Sequence, residues 1–156
     1  MGRRIVFFAC LATCACGKPN DWLEGSISRN FSLDFDKVAI SRLGCVVRID
    51  YIKDWPVGST TPCRVEVDSG KAPLAPGATT DGHLFLDAVT VSRIALMGGD
   101  FPQVLTGQIH FVTVELSPGH AVTGSFKATF DDADEHDISG TYDEPLTDPE
   151  PTVDCR

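Results

Sequence analysis

The chain is poor in positive charge. Thirteen lysines and arginines stand against 22 aspartates and glutamates, a formal charge of −9 over 156 residues. A surface of that sign repels phosphate backbones, which argues against a nucleic-acid partner. Long apolar runs are also missing. The longest, Ile5 to Ala12, falls well short of the ~20 residues a transmembrane helix requires. There is no G-x-S-x-G elbow, no H-E-x-x-H pair, no phosphate-binding glycine loop and no close Cys-x-x-Cys redox pair, so the common signatures of hydrolases, zinc proteases, nucleotide enzymes and thiol oxidoreductases are lacking. His83, His110, His120 and His136 are scattered along the chain. A hydrolase with an unrecognised arrangement of residues remains only as an alternative expectation.

What is present begins at the N-terminus. Arg3 and Arg4 precede the apolar run, and small residues close it before the polar Gly17, Lys18, Pro19, Asn20 and Asp21. A positive head, an apolar stretch and a small-residue end are the parts of an export signal, here residues 1–13. Leu11, Ala12, Thr13 and Cys14 resemble the lipobox of bacterial lipoproteins. The resemblance implies acylation of Cys14, for example by palmitate, and a membrane-anchored protein at the outer membrane or cell surface. Thr13 departs from the usual small residue before the cysteine, and Cys16, preceded by Ala15, is the alternative. With Cys14 acylated, Cys16, Cys45, Cys63 and Cys155 remain, an even number compatible with two disulfides in an oxidising compartment. Four cysteines allow three pairings. Cys45 with Cys63 is one reasonable bridge, and Cys155 then pairs with Cys16, while Cys63 with Cys155 is equally open.

Residues 14–28 read as lipid-attachment site and tether, 29–144 as one domain, and 145–156 as a proline- and acid-rich tail. Short strand-like runs separated by turn formers fill the domain. Phe31, Leu33 and Phe35 alternate before Val38 and Ile40, with a bulge expected near Asp36 and Lys37. Val47, Ile49 and Tyr51 alternate with Arg48 and Asp50; Val65 and Val67 alternate with Arg64, Glu66 and Asp68. These two runs are the best candidates for antiparallel neighbours, with a long loop, Asp54 to Pro62, between them. A second loop covers Ser69 to Asp81. Strands are expected again at Leu84 to Leu86, Val89 to Leu96, Gly107 to Leu116, Val122 to Phe130 and Ile138 to Tyr142. Gly107, Gly124 and Gly140 fall at strand positions, where glycine relieves crowding at a bulge or beneath a large cross-strand ring, and the three are expected to stack across neighbouring strands. The fold class is all-β, a single antiparallel β-sandwich or partly open barrel.

Two features suggest chemistry. Asp131, Asp132, Asp134, Glu135 and Asp137 crowd one turn, and a carboxylate-rich hairpin is the kind of oxygen-ligand source that calcium uses. No cofactor is otherwise implied. Trp55 and Tyr51 near the Asp54–Pro62 segment offer aromatic anchors for recognition. The runs Thr123 to Phe130 and Ser139 to Tyr142 resemble a paired G-T-F hairpin pattern of uncharacterised, myxobacteria-like secreted lipoproteins, which implies a compact β fold and anchoring but no catalytic residue. The expectation is an envelope-anchored, non-catalytic binding or structural protein whose partner is an envelope protein or glycan. A calcium-dependent module using residues 131–137 is the alternative.

Overall fold

A computed structural model describes residues 21–95 and 98–149. The leader, Cys14, Cys16 and Cys155 lie outside the described residues. Nine strands and one short helix form a single curled sheet, a half-barrel. The strands are β1 (Trp22–Glu24), β2 (Lys37–Leu43), β3 (Val46–Trp55), β4 (Gly58–Asp68), β5 (Thr79–Asp81), β6 (Val89–Ile94), β7 (Val104–Val114), β8 (Ala121–Phe130) and β9 (Asp137–Pro149), with helix α1 (Gly82–Ala88) between β5 and β6. The order across the sheet is β5-β7-β8-β9-β2-β3-β4-β6, with β1 added on β9. All pairs are antiparallel except β2 with β9. The all-β expectation holds, but the sheet is mixed.

The β3–β4 pair follows directly from the alternation. Val47, Ile49 and Tyr51 are fully buried, opposite Val67, Val65 and Cys63. On the other face the registered pairs Arg48–Glu66 and Asp50–Arg64 are ion pairs, the second bidentate at 2.6 and 2.9 Å. Such cross-strand pairs each contribute about 0.2–1 kcal/mol and lock register. The long loop expected at 54–62 is instead a tight hairpin. Trp55 pairs with Gly58 and only Pro56 and Val57 form the tip; Gly58 takes a φ of +96° that a side chain would strain. The breaker Pro62 sits in β4 where pairing to both neighbours shifts by one residue, and a bulge is where a sheet tolerates a residue without an N–H.

Other expectations need correcting. Residues 31–35 are not a strand; Leu33 is buried and Phe31 and Phe35 pack against the core from an irregular segment. The domain begins before residue 29, since Asp21 and Ile27 are buried and β1 joins the sheet. Residues 84–86 are helical: Phe85 and Ala88, three apart, both face inward, while Leu84 and Leu86 remain exposed, a helical spacing. Residues 145–149 belong to β9 rather than to a tail. Pro145 falls where β9 leaves β8, and the next residue, buried Leu146, donates its N–H to His120 O and pairs with Ile40 of β2. The strand thus survives its prolines by changing partners.

The two edge strands, β5 and β6, are consecutive through α1. The helix lies against β5, β6 and β7 and covers the open side of the curled sheet, its Phe85 ring seated over Gly107 of β7. Gly124 lies under the Tyr142 ring and Gly140 under Tyr51 and Phe126, so all three glycines accommodate rings, two of them across strands. They do not stack on one another as expected, because the register sets Gly107 opposite Ala128, Gly124 opposite Phe111 and Tyr142, and Gly140 opposite Phe126. None of the described helices is long and apolar enough to cross a membrane.

Candidate binding site

Tyr51 and Trp55 lie four residues apart on one strand, with opposite fates. Tyr51 is fully buried, edge-on to Phe35 at 5.1 Å, and its hydroxyl donates to Thr141 O at 2.7 Å. Burial pushes its phenol well above the ordinary value. It is a core residue, and its expected place on a binding surface is withdrawn. Trp55 has passed the end of the core, beyond the Thr61–Pro62 bulge, and is 54% exposed.

Trp55 closes one wall of a pocket of about 210 Å³ shared with Ser32, Asp34, Lys53, Thr60, Pro62, Arg93, Ile94 and Ala95. Three elements build it: the β3–β4 hairpin, the end of edge strand β6 and the segment before β2. The indole Nε1 donates to Thr60 Oγ1 at 3.1 Å, which satisfies the ring's polar edge and fixes its plane. Pro62, Ile94 and Ala95 supply further apolar wall. Part of the polar rim is bonded within the protein. Lys53 Nζ donates to Asp36 Oδ1 at 2.9 Å, a bond that raises the Lys53 pKa and lowers that of Asp36. The Arg93 guanidinium lies 4.7 Å over the Phe31 ring and donates through Nη1 to the carbonyls of Gly98 and Gly99. Its Nε is buried with no hydrogen-bond partner among the described residues. A small, largely apolar concavity with a few placed polar groups is the usual form of a ligand site.

A wider hollow of about 690 Å³ runs along Leu23 to Asp34, but it is walled by one stretch of chain. The acidic turn is differently organised from a calcium loop. Asp132 Oδ1 accepts the His136 N–H at 2.9 Å and its Oδ2 lies 2.8 Å from His136 Nδ1. Asp137 Oδ1 accepts from the Ser26 N–H and hydroxyl at 2.9 and 2.6 Å. Those bonds hold both carboxyls below the ordinary range, the His136 N–H being the main cause for Asp132 and the Ser26 hydroxyl for Asp137. Asp131, Asp134 and Glu135 are exposed. Among the described residues no group of three or more His, Cys, Asp or Glu is arranged to hold a metal ion.

Cys63 is a free thiol, fully buried in β4. Cys45, in the β2–β3 turn, is disulfide-bonded, so the bridge expected between the two is not formed: Cys63 points into the core while Cys45 lies outside it. Sequence reasoning also missed a carboxyl pair. Buried Asp21 accepts the Asp143 N–H at 2.7 Å and interacts with Glu144. Burial raises the pKa of both, and each carboxyl's partner is far away in sequence.

No protein-family model matches the chain, and no curated protein and no solved structure matches it either.

Proposed function

We propose that the domain is a non-catalytic recognition module, exported and held at the bacterial envelope by a lipid, which takes its ligand at the Trp55 pocket. The observation that carries this reading is the half-exposed indole, fixed by Thr60 and set beside an apolar concavity between the β3–β4 hairpin and the end of β6. Exposed tryptophans with immobilised rings anchor interfaces at low entropic cost. The test is capture from a native envelope extract by the full mature chain, with Trp55→Ala and Trp22→Ala beside it, with and without calcium. A component retained by the parent and by Trp22→Ala, and lost from Trp55→Ala, is expected. Equal retention by Trp55→Ala, or none by the parent, overturns the reading.

The free thiol of Cys63 shifts the preferred anchor. With Cys63 sequestered, acylation of Cys16 leaves Cys155 as the partner of Cys45, whereas acylation of Cys14 leaves one cysteine over. The topology favours that bridge. Strand β9 runs parallel to β2 and pairs Arg42 with Pro149, which sets its last described residue near the turn that holds Cys45. Intact mass of the membrane-extracted protein should show an acylated chain beginning at Cys16, and non-reducing peptide mapping a Cys45–Cys155 link. A chain beginning at Cys14, or one without acyl mass, contradicts this assignment.

A further inference from the structure

We propose that the ligand of the Trp55 pocket is an uncharged carbohydrate, one pyranose ring of which stacks on the indole. This inference rests on the reading of that pocket as the recognition site and goes on to name what enters it. Size comes first. At about 210 Å³ the cavity lies below the ~300–1,000 Å³ of sites for drug-sized molecules and suits a single ring-sized unit of a longer ligand.

Charge then discriminates among ring-bearing ligands. The charges about the pocket balance, Lys53 and Arg93 against Asp34 on the rim and Asp36 paired to Lys53, so a cation drawn to the indole quadrupole gains no net charge complement. The same balance leaves an anion no net counter-charge. The acidic excess of the whole chain disfavours an anion further. An apolar chain or bare aromatic ring would leave the rim groups Ser32, Asp34 and Lys53 partly desolvated and unmatched. A pyranose answers each condition. Its C–H face is apolar and flat enough for an indole whose own N–H is already bound to Thr60. Its equatorial hydroxyls donate to an acceptor such as Asp34 and accept from donors such as Lys53 and Ser32. Trp55 stands beside the hairpin tip, where Val57 is 93% exposed, so neighbouring sugar units can extend outward without meeting protein.

The test is calorimetric and tryptophan-fluorescence titration of the full mature chain with neutral hexaoses of β-1,4-glucose, α-1,4-glucose, mannose and N-acetylglucosamine. Hexagalacturonate and hexalysine serve as charged arms, and the matching monosaccharides separate free sugar from polymer recognition. At least one neutral hexaose should bind saturably, with an affinity unchanged between 50 and 500 mM salt (roughly, Debye lengths from above 10 Å to under 5 Å). Trp55→Ala should weaken it at least about tenfold, Trp55→Phe much less, and Trp22→Ala not at all. Failure of every neutral hexaose, tighter binding of a charged arm, or binding that survives Trp55→Ala overturns the proposal. If envelope capture still depends on Trp55 while all neutral sugars fail, the carbohydrate inference falls and the recognition reading stands.

Discussion

Gly140 lies under the hydroxyl of Tyr51. A Cβ at position 140 would come within 2.8 Å of Tyr51 Oη, 2.8 Å of Trp22 O and 2.9 Å of the Phe126 ring. The glycine is what lets the β3 phenol reach across to Thr141 O of β9, and that bond ties the two strands that flank β2 together through the core.

Gly140→Ala should therefore cost about 1–3 kcal/mol, the range for forcing a methyl into a packed interior. The Trp22 carbonyl is backbone and cannot swing aside. Urea denaturation of the variant measures this. A loss below about 0.5 kcal/mol would show that β1 can move away at little cost.

Gly107 and Phe85 form a second such pair, between β7 and the helix that covers the sheet's open side. Phe85→Ala should cost about 3–5 kcal/mol, as a fully buried aromatic. Gly107→Ala should be destabilising alone, because its methyl would meet the Phe85 ring, and nearly neutral in the Phe85→Leu background. A double-mutant cycle should return a coupling of roughly 0.5–3 kcal/mol. Additive effects would mean that the helix does not press on β7.

The alternation of apolar and polar residues made β3, β4, β7 and β8 legible, since one buried face imposes a period of two. It also marked the strand glycines. What it concealed was where the sheet ends. Tyr51 and Trp55 share a strand face, and only the bulge at Pro62 and the limit of the core decide which is buried. Pro62 reads as part of a loop and Pro145 as part of a tail, because composition does not reveal a bulge or a change of strand partner. The helix was hidden by a short apolar run whose length suits either state. The pocket joins residues 32, 55 and 93, a convergence that no local pattern encodes.

Cys63 should be chemically silent in the native state. Its side chain is fully buried, and burial pushes the thiol far above its ordinary pKa, so the reactive thiolate is suppressed. Alkylation with iodoacetamide should leave Cys63 unmodified in buffer and modify it in 6 M guanidinium (roughly the range that unfolds even very stable domains). Native labelling on a minutes timescale would contradict the packing. Cys63→Ser should cost about 1–3 kcal/mol, for a hydroxyl placed in an apolar site.

Asp137 contributes acid sensitivity of the usual sign. Its folded pKa is lowered, first by the Ser26 hydroxyl and then by the Ser26 N–H. The stabilisation is therefore present above the ordinary carboxyl value of ~3.9 and lost as pH falls through the lower folded value. Ser26→Ala should cost about 1 kcal/mol at pH 7, and the difference from the parent should shrink on acidification. Thermal melts from pH 7 down to ~2.5 follow it; a gap independent of pH would sever the link to Asp137.

Asp21 and Glu144 should act in the opposite direction. Burial is the main cause that raises both, and Asp21's charge raises Glu144 further. A carboxyl whose folded pKa is raised binds its proton more readily folded than unfolded. It is fully favourable below the unfolded value of ~4 and becomes a penalty as pH rises through the folded one. Glu144→Gln removes one of the two charges and keeps an oxygen and a donor at the same place. It should raise stability at pH 7 by a few tenths of a kcal/mol at most, roughly, because solvent screens the pair. Below ~4 the variant and parent should melt together. Destabilisation by Glu144→Gln at pH 7 would instead mean that the ionised Glu144 is favourably held, and that the pair does not compete for its charge.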